Sequence, residues 1–227
     1  MKKVLIYVEG QTEETFVTRV LGPYLWNTCE IELRPTLART KRTASGETFK
    51  GGIVSYEKVK RDIRYLLNDS SAVLVTTMID YYGLPQDFPG KTSLPPGSPY
   101  VRVQYLEEEF KKDIGLTKFL PFLVLHEFEA LVLVQPENLC KVLPGQEDKV
   151  SQLIKTIGAK LPEEINEGPE THPSKQIERH LQGYSKPLHG PRVVKYTGLT
   201  TIRSKCQHFD RWLKQLEALR ENTETYN

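Results

Sequence analysis

Three stretches set the fold. KVLIYV (3–8), AVLVTTMI (72–79) and FLPFLVL (119–125) are nearly continuous runs of apolar, mostly branched or aromatic residues. A strand that reads this way is buried on both faces, which points to a parallel sheet covered by helices on each side. The segments between them supply those helices. Over 12–25, Phe16, Val17, Val20, Leu21 and Tyr24 recur at helical spacing, with Thr12 as the expected N-cap and Gly22-Pro23 as the expected end or kink. Over 53–67, Ile53, Tyr56, Val59, Ile63 and Leu66 form a second apolar stripe; over 101–115, Val103, Leu106, Phe110 and Ile114 form a third. IELRPTLA (31–38) reads as another strand, its Pro35 suiting a sheet edge.

The first 130 residues therefore read β-α-β-α-β-α-β, an α/β domain with a four-stranded parallel sheet. Beyond about 136 strands give way to short helices, expected near 147–157, 174–181, 191–197, 199–206 and 208–220. This gives an expected division into a sheet domain, 1–135, and a helical C-terminal extension, 136–227, packed on it. Trp212, with Phe209, Leu213 and Leu216, reads as helical core or an interface stripe, not as a base-stacking platform.

Composition narrows the function classes. The formal net charge is +2, so no global basic field exists and any nucleic-acid surface must be local. The 3 cysteines lie far apart with no CxxC pair, which speaks against a zinc ribbon or a disulfide framework and suits a reducing cytoplasm. MKKVLIYV is too short an apolar run for a signal peptide, and no run of about 18 apolar residues would span a membrane.

Three of the four strands end on an acid: Glu9, Asp80 and Glu127, with Glu129 close by. In an open parallel sheet, ligands gather beyond the carboxyl ends of the strands. Gly10 lets the chain turn from Glu9 into a helix whose first turn carries Glu13, which can point back to the same edge. Glu14 reads more simply as an acid complementing the helix dipole. Carboxylates crowded together repel, and a divalent cation such as Mg²⁺ or Mn²⁺ removes that repulsion through oxygen ligands. Such ions support phosphodiester hydrolysis. His126 reads either as a ligand or base or, more plainly, as a hydrogen-bonded strand-end residue. His172, His180, His189 and His208 show no ligand spacing and read as ordinary polar residues. Two basic groups are candidates for phosphate contacts: Arg39, Lys41, Arg42 and Lys50 in a loop, and Arg192 and Lys195 in HGPRVVKY, read as a helix N-terminus with proline in its first turn.

EGQTE (9–13) matches the EGxxE pattern of Toprim domains in overcoming-lysogenization-defect-type nucleases. VEGQTEETF, MIDYYGLPQDFPG, LHEFEAL and HGPRVVKYTGLTTIRSKCQHFDRWL together resemble a bacterial Toprim-like family known as a domain of unknown function, over nearly the whole chain. The resemblance implies a metal-dependent nuclease in which Glu9 is the Toprim glutamate, Asp80 opens the DxD motif, and Glu127 or Glu129 is the late acid. It also implies a separately encoded ABC-type ATPase partner and a place in phage defence. The second acid of DxD is missing, since the chain reads Asp80-Tyr81-Tyr82; Asp87 in the next loop is the candidate replacement. Catalytic roles thus fall to Glu9, Asp80 and Glu129, with Glu13, Asp87 and Glu127 as further ligands. A non-catalytic partner subunit and a nucleotide-binding or phosphatase-like protein are the rival readings. DNA or RNA as substrate, and homo-oligomer or monomer, are left open.

Overall fold

A computed structural model describes residues 1–38, 55–165 and 172–220. The expected basic loop 39–52 and Ile53 lie outside them. β1 (Lys2–Val8) lies between β2 (Ile31–Leu37) and β3 (Ala72–Asp80), with β4 (Phe119–Leu120) and β5 (Leu123–Val124) both on the far side of β3. Every pairing is parallel. β2 is the edge strand, where Pro35 pairs in register with Ile6.

The expected fourth strand, 119–125, is two pieces instead of one. Pro121 has no N–H to donate to the ladder. The Thr77 side chain bridges the break: its hydroxyl donates to Phe122 O and accepts from Phe122 N, both at 2.8 Å.

Residues 4–8 of β1 are buried without exception. Their side chains alternate between two cores. Val4, Ile6 and Val8 join one core, together with Phe16, Leu25, Met78, Phe128, Val194 and Trp212. Leu5 and Tyr7 join the other, against α3 (Tyr56–Leu67) and α4 (Pro99–Ile114), through Val59, Ile63, Val103, Leu106 and Phe110. The first core draws on the C-terminal helices α6 (Glu147–Ile157), α7 (Pro173–His180), α8 (Lys186–Thr197), α9 (Leu199–Lys205) and α10 (Gln207–Glu217). Trp212 is buried as expected, stacked on Phe122 at 4.3 Å and donating from Nε1 to Thr76 Oγ1 at 2.9 Å.

The helix expected over 12–25 passes through a π turn. α1 (Gln11–Phe16) runs into π-helical Val17–Leu21 and then α2 (Gly22–Cys29). Pro23 cannot donate to the carbonyl four residues back and its ring would crowd it. The wider turn absorbs the conflict, with Gly22 N–H bonding Val17 O, five residues back. A Cβ on Gly22 would meet that oxygen at 2.9 Å, which fixes glycine there. The N-cap of α1 is Gly10, not Thr12, which is buried inside the first turn.

α8 also departs from expectation. It begins at Lys186, so Pro191 lies inside the helix and Arg192 and Lys195 sit past its middle, not at an N-terminus. Among the described residues, no helix is long and apolar enough to cross a membrane.

Candidate active site

The strand order β2-β1-β3 means the chain leaves β1 to one side and returns on the other. The crevice between the ends of β1 and β3 is a topological switch point, where open α/β sheets bind ligands. Glu9 follows the last residue of β1, and Asp80 is the last residue of β3. Their juxtaposition is direct: Glu9 Oε2 accepts from the Asp80 backbone N–H at 3.0 Å. Gly83 lies under the Glu9 carboxylate, and a Cβ there would come within 3.4 Å of Oε1. Glu13, brought back by the first turn of α1, accepts from Gly10 N–H at 2.8 Å.

The third acidic element follows β5. His126 adopts a left-handed backbone, φ 69°, and its carbonyl accepts from Tyr82 N–H at 3.1 Å. This reversal turns the chain so that Glu127 and Glu129, at 4% and 1% exposure, both face inward; Glu129 opens α5 (Glu129–Val132). Asp80 Oδ1 accepts from Phe128 N–H at 3.0 Å, tying this turn to β3. The His126 ring is buried, which holds it neutral with a pKa lowered to about 4.

Lys186, at the start of α8, reaches into the group. Its Nζ lies 3.1 Å from Glu127 Oε2 and 3.3 Å from Glu129 Oε2. On the other side of Glu127, His172 Nε2 is 3.2 Å from Oε1, and Tyr82 stacks on that imidazole at 4.7 Å. Tyr184 donates to Glu129 Oε1 at 3.4 Å.

The protonation pattern follows from this charge balance. Burial works to raise Glu127, but Lys186, Ser174 and His172 outweigh it and hold its carboxyl below the usual range. The others climb. Glu9 rises to about 7 through burial and then repulsion from Glu13. Glu129 rises to about 8, chiefly through burial, with Lys186 opposing. Burial lifts Glu13 despite its backbone bonds. Asp80 rises well above its ordinary value, through burial and then the fields of Glu9, Glu13, Glu129 and Glu127. Lys186 acts on Glu9, Glu13, Glu127 and Glu129, and is itself acted on by Asp80. Among the described residues, Lys186 is the one ammonium set against all these acids.

The donor chemistry fits a hard divalent cation: carboxylate oxygens, inward-facing, short of positive charge. Glu9, Asp80 and Glu129 are the residues that would hold it, with Glu13 and Glu127 beside them. As they stand, no group of three or more His, Cys, Asp or Glu among the described residues could hold a metal ion. The acids turn oxygens toward backbone amides and Lys186 instead.

Asp87 is not brought here. It accepts from Tyr56 N–H at 3.3 Å and so caps the start of α3. Arg39, Lys41, Arg42 and Lys50 lie outside the described residues. Arg192 and Lys195 are exposed on α8. The sequence reading singles out neither Lys186 nor Tyr184 and takes His172 for an ordinary polar residue; the one local signal is a lysine directly before the proline of a helix start, in GYSKPLHGPR.

The profile described as "Domain of unknown function (DUF4276)" matches residues 8–217, nearly the whole chain. No curated protein and no solved structure matches the chain.

Proposed function

The chain belongs to the DUF4276 family, and we propose that it is a divalent-cation-dependent phosphodiester hydrolase of Toprim type acting on nucleic acid. One observation carries the reading: acids from three separate segments, Glu13, Glu127 and Glu129 buried and Glu9 and Asp80 half-buried, meet at the β1/β3 switch point with a single ammonium among the described residues to balance them. A structural cluster would be expected to neutralise itself. Bound Mg²⁺ or Mn²⁺ would supply the missing charge, polarise a phosphoryl oxygen and lower the pKa of an attacking water.

The chain's own residues have separable tasks. Glu9 and Asp80 fix the rim, each held by a backbone amide from a neighbouring segment. Glu129, lifted to about 8 without a cation, would give up its proton to become a ligand when the cation binds. Lys186, with a side chain 38% exposed, is placed to meet a phosphate oxygen arriving at the rim. The Toprim resemblance adds a separately encoded ABC-type ATPase and a role in phage defence to the proposal.

A second reading has its own support. Asp87 does not restore the missing DxD acid, and Lys186 already occupies Glu127 and Glu129. A Toprim-like subunit that binds nucleic acid or a partner without cleaving would look like this. Incubation with plasmid, single-stranded DNA and RNA in Mg²⁺ or Mn²⁺ separates the two. The hydrolase reading expects cleavage that Glu9→Gln and Asp80→Asn each reduce at least about 100-fold, since cation charge stabilisation is worth several kcal/mol. Cleavage surviving both substitutions, or none by the unmodified protein, overturns it.

A further inference from the structure

A groove of about 510 Å³ runs between the α1–π segment and α8. Arg19 lines it from the π turn; Leu188, Arg192, Lys195 and Tyr196 line it from α8, and no acid among the described residues does. The α8 residues recur at i, i+4, i+7 and i+8, which sets them on one helical face. All five are exposed. Leu188 and Tyr196 keep 56% and 50% of their surface in solvent, unusually much for large apolar side chains. Lys141 lies 5.0 Å over the Tyr196 ring, adding a fourth cation at that end. Arg19, Arg192 and Lys195 form no ion pair with a described residue.

The groove continues the acidic rim along the same two helices. Glu13 precedes groove-lining Thr15 by two residues on α1; on α8, Lys186, which holds Glu127 and Glu129, directly precedes groove-lining Pro187. One end of the groove thus lies within a turn of rim residues on both helices, while residues one or two apart on a helix point in different directions. The groove's lining combines guanidinium and ammonium groups that pair with no described acid with an exposed aromatic ring. That is the pairing by which proteins hold a single nucleic-acid strand: cations follow the phosphates and a ring accepts a base.

We infer that this groove binds one single strand of nucleic acid and delivers its phosphodiester to the acidic rim, an inference that rests on the hydrolase reading. The test measures fluorescence anisotropy of a labelled single-stranded oligonucleotide, without divalent cation so that nothing is cleaved. Alongside it, turnover of bis(p-nitrophenyl) phosphate with Mn²⁺ reports on the rim, because that small diester needs no groove. Arg192→Glu with Lys195→Glu is expected to weaken strand binding at least about tenfold and to flatten its salt dependence by about two contacts. Tyr196→Ala should weaken it about fivefold or more. Arg192→Lys, which keeps the charge, should bind nearly as well as the unmodified chain, and small-diester turnover should be unchanged in all of them. Strand binding unmoved by the charge reversals overturns the groove while leaving the hydrolase reading intact. Tighter binding of an acidic peptide, or of duplex than of single strand, also overturns it. Absent diester turnover with groove-dependent strand binding would sink the hydrolase reading and keep the groove.

Discussion

Two charged clusters are packed into this molecule, and they are built differently. Beneath α9 and α10, Arg203 faces Asp210 at 2.5 Å and Glu217 at 2.6 Å, Lys214 faces Asp210 at 2.8 Å, and Tyr24 donates to Glu217 at 2.6 Å. Two acids meet two cations. Burial works to raise Asp210, but Lys214 and Arg203 outweigh it and hold it low. At the sheet rim, Glu9, Glu13, Asp80, Glu127 and Glu129 share Lys186, and most of them are pushed up. The rim is the deeper of the two: Glu13, Glu127 and Glu129 are buried, whereas Arg203, Asp210 and Glu217 are half-buried and Lys214 is exposed. The clusters differ also in charge balance among the described residues, and holding unbalanced charge costs stability, which is the ground for placing the proposed function at the rim.

The comparison can be broken by substitution, starting with the largest effect. Arg203→Ala should lower the unfolding free energy by about 3 kcal/mol in urea melts, because two acids lose their shared partner. A loss below about 0.5 kcal/mol would make that network ornamental. Lys186→Met should cost about 2 kcal/mol near neutral pH and clearly less in mild acid, where the acids can protonate instead. Equal costs at both pH values would mean the rim is not short of positive charge.

Neutralising the rim should do the opposite. Asp80→Asn keeps an oxygen for Phe128 N–H while removing a repelled charge, so the metal-free protein should gain about 1 kcal/mol. Its Arg203-network counterpart, Asp210→Asn, should lose stability. The smallest effect is the pH drift of the unmodified chain. A carboxyl with a folded pKa above its unfolded value binds more protons when folded. Metal-free stability should therefore fall as pH rises from about 4.5 through about 7 for Glu9 and about 8 for Glu129. Glu127, held low, contributes stability that is lost only in stronger acid, as pH falls through its depressed pKa. A Tm that climbs steadily toward pH 8 would contradict the rim's charge balance.

The features legible in the sequence were those set by local pattern. Continuous apolar runs gave β1 and β3, and with them the positions of Glu9 and Asp80, since a strand's end is visible where its apolar run stops. Where tertiary packing chose the outcome, the sequence misled. Asp87 is one loop acid among several, and only the folded chain shows it capping Tyr56 N–H. Pro187 and Pro191 hid the start of α8, because a proline inside a helix reads as a boundary, and Lys186 was hidden with it. The π turn at Val17–Leu21 escaped for a similar reason: Pro23 announces a conflict in the helix without saying how the backbone resolves it.

The central claim is that the rim lacks positive charge and takes a divalent cation to supply it. Titration calorimetry with Mn²⁺ near neutral pH, repeated in buffers of different ionisation enthalpy, measures this directly. Saturable binding that releases protons, as Glu9 and Glu129 give theirs up, and that Asp80→Asn abolishes, is the result expected. No binding, or binding that Glu9→Gln and Asp80→Asn leave untouched, would contradict it.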